Sequence, residues 1–501
     1  MGVAASLTVE AYLSGSWVDL TPDTVARSGM AIKYGIDGHG PADMVAAVGS
    51  CAFTLRNDAG NSGGLEGYYS PRHANVRTGW GFGVPVRVKM TSGAITDAVR
   101  FYGFVVNIDA EPGQYRAKRV RVTCEDGIRK LLDAEVREIA IAQGQDESAL
   151  IDDVLDSLPT DAQPVARSLD VGANTMEVAF DDLGSGVKAL ALIGDLARAA
   201  QGKAFIRGDG TFVYRNRHNL GPLASSAITF TNDMHGLRAP SSVDACFNRI
   251  RVTTRQKTIS TAATELLYNN VVDLPAAVSN QEYWTDYTDP NSGERRTKIG
   301  GTDVVTSLVA GTHYFAGVEA GGSESTASVT ASLQAFGSTA KWTLSNSSEQ
   351  ALKVTLRVIG KAIRDLGPSV REASSAQPYG ERPFNLDLKY QGSADFGGAL
   401  AAHLLTLYED LDNQVEAVEF IANDSTAFMA AALQREPGDV ITITEAVTGI
   451  ASSTQVIQSV ALTVSEPCWI RCRWTLAPTD ITGGAWVLGT SELGNTTELA
   501  L

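Results

Sequence analysis

Short runs of alternating apolar and polar residues set the fold class of this chain. In VPVRVKM, Val84, Val86, Val88 and Met90 fall at every second position, which puts them on one face of a half-buried strand. Pro85 inside that run marks a strand start or a sheet edge, because proline has no N–H to give to a ladder. FYGFVVNI and RAKRVRVTCEDG read as two further strands, separated by the turn Glu111-Pro112-Gly113. The 48 glycines, 17 prolines and frequent Val, Thr and Ser fit many short strands joined by tight turns. A chain of 501 residues exceeds what one core supports, and roughly three or four domains are expected.

Residues 1 to about 135 read as mainly β, with NSGGLEGYYSPR (61–72) as a long loop and GWGFG (79–83) as a close-packed bend. DESALIDDVLDSL (146–158) reads as a helix with Leu150, Ile151, Val154, Leu155 and Leu158 on one face. SGVKALALIGDLARAAQG reads as a second helix, with Ser185 as N-cap and Gly202 as its stop. Asp209-Gly210 between two alternating runs signals a hairpin, so this stretch is an α+β unit. Residues 260–364 carry strand-like runs at sandwich spacing. The polar, Pro- and Gly-containing stretch 365–380 reads as a linker. A helix from about Asp395 to Leu411, with Leu400, Leu404, Leu407 and Tyr408 inward, precedes a final β region.

Two stretches share an order of elements. Residues 82–127 and 437–480 each run through an alternating strand, a polar loop, a Val-rich strand, a Pro-containing turn and a long strand carrying cysteine. They are a duplicated unit or two independent β-meanders of like order.

YGERPFNLDLKYQ, ALAAHLLTLYEDLDNQV, EPGDVITITEAVTGI and WVLGTSELGNTTELAL, with CAFTLRNDAG through VPVRVKM near the start, resemble the recurring segments of hub-type minor tail proteins of siphophages. The resemblance implies two tail-tube-like β-barrels separated by an α+β unit and a β-sandwich-like domain. The implied boundaries are 1–140 and 371–501 for the barrels, 141–255 for the α+β unit and 256–370 for the sandwich. It further implies a structural virion protein at the tail tip, made in the bacterial cytoplasm. The expected partners are the tail tube or distal tail ring and tip or fibre proteins. A homotrimer would then enclose a channel that DNA passes through without specific binding. A receptor- or glycan-binding tail protein acting in host adsorption is the alternative, resting on the 260–364 sandwich.

The chemistry-bearing residues agree with a non-enzymatic reading. The net charge of −16 disfavours general affinity for nucleic acid or anionic membranes. If a DNA channel is enclosed, acidic residues are expected along it. No apolar run reaches the ~20 residues that span a bilayer, and MGVAASLTVEAYLSGSW lacks the basic and apolar regions of a secretory signal. Its Gly2 and Ser6 fit a myristoylation pattern, but the alternating Leu7, Val9, Ala11 and Leu13 read as a first strand. His39, His73, His218, His235, His313 and His403 form no metal spacing with one another or with the cysteines. Cys51, Cys124, Cys246, Cys468 and Cys472 read as reduced thiols, the last two sharing a core with Ile470. Ser62 lies in a nucleophile-like GNSGG without the strand-turn-helix context. Asp152, Asp153, Asp181 and Asp182 sit near helix starts, where acids suit the dipole better than catalysis. DPNSGER (289–295) lacks calcium-loop spacing. Arg116, Lys118 and Arg121 suit subunit salt bridges, and Trp469 and Trp474 face opposite sides of one strand. No catalytic, cofactor or metal residue is expected.

Overall fold

The computed structural model describes residues 2–111, 117–184, 186–219, 226–240, 246–289, 292, 297–409 and 415–478. Pro112, Gly113, Arg116, Ser185, most of DPNSGER and the segment from 479 onward lie outside the described residues.

Seven strands come first: β1 (Ser6–Leu13), β2 (Ser16–Asp19), β3 (Met30–Gly35), β4 (Ala47–Arg56), β5 (Pro85–Ser92), β6 (Ile95–Ala110) and β7 (Arg119–Glu125). They lie in the order β3-β4-β7-β6-β5-β1-β2, every neighbour antiparallel. After β2 the chain returns to β4, where Thr24 bridges Leu55 and the Val25 amide donates to the Thr54 carbonyl at 2.8 Å. That return segment touches β4 through this one bridge and one hydrogen bond, outside the strand path. Val86, Val88 and Met90 are fully buried, as the alternation demands, and β5 begins at Pro85.

The α+β unit follows: α1 (Ile128–Asp133), β8 (Glu135–Val136), β9 (Ala142–Asp146), α2 (Glu147–Asp156), β10 (Ala166–Leu169), β11 (Thr175–Ala179), β12 (Val187–Lys188), α3 (Ala189–Ala200), β13 (Lys203–Ile206) and β14 (Thr211–Arg215). Asp146 caps α2 by accepting from the Ser148 and Ala149 amides, both at 3.0 Å. The expected stripe of Leu150, Ile151, Val154 and Leu155 is fully buried. α3 starts at Ala189, four residues after the expected cap, with Lys188 at its N-cap position and no side-chain cap bond. Its left-handed terminal residue is Gln201 (φ 58°) rather than Gly202, whose amide closes onto the Ala197 carbonyl. The hairpin is as read, with Ile206 opposite Phe212 and Gly210 at φ 87°.

Next come β15 (Thr229–Thr231), β16 (Gly236–Arg238), β17 (Arg249–Ile259), β18 (Thr264–Leu274), β19 (Gln281–Asp286), β20 (Gly300–Thr302), β21 (Tyr314–Gly317), β22 (Val329–Ala335), β23 (Thr339–Asn346), β24 (Leu352–Ser374) and β25 (Pro383–Leu388). A six-stranded sheet built on β24 and the three-stranded sheet β19-β23-β22 share a core of Leu266, Trp342, Leu344, Val354 and Leu356. The linker expected over 365–380 is corrected: β24 continues through Ser374 because β17 gives it a ladder partner. Pro368 lies opposite Arg255, next to a register shift, where a missing N–H costs little.

The chain ends in α4 (Ala394–Tyr408), β26 (Ala417–Ile421), α5 (Thr426–Gln434), β27 (Val440–Glu445), β28 (Ile450–Ser465) and β29 (Trp469–Pro478). Leu400, Ala401 and Leu404 of α4 pack on Ile250, Val252, Leu386 and Leu388. The similar stretches noted above become two meanders, β5-β6-β7 and β27-β28-β29, each with a 16-residue central strand. β28 also pairs with β3, Leu462 opposite Ile32, so the two terminal regions share one 13-stranded sheet. α5 lies on the buried side of that sheet, its Phe428, Met429 and Leu433 joining one core with Val88, Phe101 and Trp474. The molecule is mainly β with smaller α+β parts.

Candidate assembly interface

The solvent face of the shared sheet can be read across its strands from the register. One row runs Glu419, Arg473, Ala461, Lys33, Ser50, Glu125, Phe104 and Pro85. Ion pairs stitch neighbouring positions: Arg471 and Arg473 flank Glu419 at 3.3 and 3.0 Å, and Arg87 and Lys89 flank Glu10 at 2.5 and 3.0 Å. Such cross-strand pairs help to hold register on a wet surface. Further along, Arg56 stands directly opposite Arg119 and Thr54 opposite Arg121. Lys118 pairs with Glu66 at 2.6 Å, a contact within the chain.

Among the described residues the sheet path ends at β2 on one side and β16 on the other. Beside β2 an aromatic ridge crosses the outward face. Tyr12 meets Trp17 edge-on at 5.4 Å, Trp17 meets Tyr102 at 6.1 Å, and Tyr102 meets Phe104 at 5.9 Å. The Arg87 guanidinium lies 4.2 Å from the Trp17 ring centroid and the Lys130 ammonium 3.6 Å from that of Phe104. Tyr12 is 42% exposed, and Phe82, in the loop before β5, is 66% exposed. At the other end Arg238, on β16 opposite Ala417, pairs with Glu416 at 2.5 Å, close along β26 to the Glu419 cluster. Tyr, Trp and Arg are the residue types that concentrate binding energy at interfaces. Trp469 lies outward and Trp474 inward on β29, as the alternation required.

Behind this face, one buried network joins three parts of the chain. A register shift in β6 turns Arg100 inward, leaving it 1% exposed. It donates to Glu436 Oε1 (2.6 Å), to the Leu433 and Arg435 carbonyls (3.2 and 2.9 Å) and to the Tyr34 hydroxyl. The Gly208 amide, from the β13–β14 hairpin, donates to Glu436 Oε2 at 3.2 Å. Burial raises the Glu436 carboxyl while the charge of Arg100 opposes the rise. A cleft of about 490 Å³ opens alongside, lined by Arg207, Arg215, Arg435 and Asp439 among others. Two of these arginines already have carboxylates, Arg215 with Asp170 at 2.8 Å and Arg435 with Asp439 at 3.7 Å.

The residues weighed for chemistry are dispersed. Ser62 donates to the buried Asp23 (Oγ to Oδ2, 2.5 Å), which also accepts from the Ser62 amide and the Tyr69 hydroxyl. That carboxylate anchors the long loop onto the turn that follows β2. Arg167 holds Asp152 and Asp156, both at 2.6 Å, Lys257 holds Asp181, and Lys389 lies 3.0 Å from Asp182. Among the described residues no group of three or more His, Cys, Asp or Glu is placed to hold a metal ion. Cys472 is buried with Ile470 in the core, and Cys468, half-buried ahead of the strand, packs against the same core; Cys51 and Cys124 face each other across β4 and β7 as free thiols. No described helix is long and apolar enough to cross a membrane. The aromatic ridge escaped sequence reading because Tyr12, Trp17, Tyr102 and Phe104 come from three strands, β1, β2 and β6, whose register only the fold supplies.

No protein-family model and no curated protein sequence matches the chain. Among solved structures it is similar to a 43 kDa tail protein of prophage MuSo2 from Shewanella oneidensis, at 7% identity and a TM-score of 0.48, covering 95% of this chain and 99% of that one. A tail protein from Neisseria meningitidis MC58 is similar at 9% identity and a TM-score of 0.48, over 94% and 96% of the two chains. The prophage tail protein gp18 from Listeria monocytogenes EGD-e is similar at 9% identity and a TM-score of 0.43, over 94% of each chain.

Proposed function

We propose that this chain is a structural subunit of a bacteriophage tail, of the hub kind, whose work is mechanical rather than catalytic. The observation that carries the reading is the single 13-stranded sheet that joins both terminal regions, its path among the described residues running from β2, beside the Tyr12–Trp17–Tyr102 ridge, to β16, which carries Arg238. A surface with two different ends closes into a ring when the end of one copy meets the other end of the next. Three copies would form a homotrimer at the tail tip of the virion, joining the tail tube to distal tip or fibre proteins and leaving a passage for DNA. The sequence resemblance of the terminal segments supports the same reading. The domain limits 1–140, 141–255, 256–370 and 371–501 belong to this proposal.

The test is assembly. Light scattering across a concentration series, with negative-stain microscopy, is expected to give a closed ring of discrete mass. The variant Phe82→Glu, at a side chain 66% exposed in the loop before β5, is expected to weaken association ~10-fold or more while leaving the melting temperature nearly unchanged, because burying an unpaired charge at an interface is costly. A wild-type protein that stays monomeric at every concentration, with no rings on grids, overturns the reading.

A further inference from the structure

Asp126 closes β7 at the point where the sheet hands over to α1. Its amide donates to the Gly49 carbonyl on β4 at 3.0 Å, and its Oδ1 accepts from the Ile128 amide at the start of α1, also at 3.0 Å. The residue is 2% exposed, and Oδ2 is buried with no hydrogen-bond partner. Gly49 leaves room for that oxygen: a Cβ there would lie 2.3 Å from Oδ2 and 3.0 Å from the Tyr34 Cβ. On one side lies the core of the shared sheet, including Cys124; on the other lies the α+β core, including Ile128 and Leu131. One carboxyl group therefore sits in the seam between two cores.

The charges around it do not offset its own. Glu125 precedes it with like charge. Arg129 on α1 directs its guanidinium to Glu125 (3.8 Å) and Asp133 (2.8 Å), and Lys130 reaches the Asp161 carbonyl at 2.6 Å. From β3 it is the body of Tyr34 that approaches, its hydroxyl being held by Arg100, and from β13 the Ile206 side chain covers Gly127. The Ile128 amide and the nearby Gly49 backbone favour the carboxylate, but burial outweighs them, so a carboxylic acid suits this site better.

We propose that the seam between the sheet and the α+β unit is proton-sensitive: protonated Asp126 keeps α1 seated on the sheet, and its ionisation loosens that contact. Burial pushes the carboxyl from its ordinary 3.8 up to about 7. Between those values the closed seam holds a proton that the opened one releases. The contact is therefore tightest below the ordinary value and weakens as pH rises toward 7. A gap of about three pH units corresponds to at most ~10³-fold in the opening equilibrium. This inference does not depend on the tail reading.

Hydrogen–deuterium exchange of the full chain at pH 5, 6, 7 and 8, corrected for intrinsic rates, tests it. Peptides covering α1 should lose protection at least ~10-fold relative to β23 between pH 5 and 8, well inside that ceiling. In Asp126→Asn the two elements should follow one flat trend. Should that variant not fold, the ¹³C carboxyl resonance of Asp126 in the wild-type chain decides: a midpoint near neutrality supports the proposal. A midpoint in the ordinary carboxylate range, or α1 and β23 tracking each other in the wild type, overturns it.

Discussion

Arg100 is a buried charge on which distant parts of the chain converge. It reaches Glu436 across 336 positions, and its guanidinium is fully enclosed with two backbone carbonyls and the Tyr34 hydroxyl. Removing one member of such a pair strands the other charge in a low-dielectric interior, which costs ~3–5 kcal/mol. Arg100→Met is accordingly expected to lower the urea midpoint sharply. Adding Glu436→Gln should recover much of the loss, since an uncharged amide can still accept from Gly208. Urea titration of the single and double variants checks this, and a single variant within ~1 kcal/mol of wild type would contradict a buried, mutually dependent pair. Nothing in the sequence around Arg100 announces this role. FYGFVVNI reads as a regular strand, and the register shift that turns its preceding arginine inward is set by the neighbouring β5.

At the scale of elements, local signals were legible wherever one chemical rule acted over a few residues. The face of α2, the Asp209-Gly210 hairpin and the alternation of β5 follow from period and turn chemistry alone. The stretch Asp365–Ser374 did not, because nearly all its side chains face solvent and Gly367 and Pro368 are breaker residues; its strand exists because β17 pairs with it. The start of α3 at Ala189 was hidden too, because the chain first pairs Val187 with Val136 before the helix begins. The role of α5 was equally hidden, since its short apolar run shows no partner until the sheet is assembled. Phe428 there packs against Phe230 and Phe420, with ring centroids 5.4 and 5.3 Å apart. Phe428→Ala should cost ~3–5 kcal/mol through lost burial and the cavity left behind. Thermal melting followed by near-ultraviolet circular dichroism would show it, and a loss below ~1 kcal/mol would mean the site can collapse around the gap.

For the whole molecule, the pairing of β3 with β28 matters most, and it was the least accessible to sequence reading. Ile32 and Leu462 lie opposite each other although 430 positions separate them, and no local pattern encodes a partner at that distance. The consequence concerns which parts stand alone. The core that contains Val88 and Phe101 also contains Phe428, Leu462 and Trp474, so the first 140 residues lack a complete core of their own. Residues 260–364, by contrast, hold every member of the core built on Trp342 and Val354. A fragment spanning 260–364 should therefore melt cooperatively by itself. A fragment of residues 1–140 should expose the β3 edge and its apolar face, and such an unpaired edge favours aggregation. Supplying residues 371–501 in the same cell should rescue its solubility if the strand pairing is what it lacks. A soluble, cooperatively melting 1–140 fragment would show that the N-terminal strands can close without β28, and the shared sheet would then be a docking of two finished barrels rather than one folding unit.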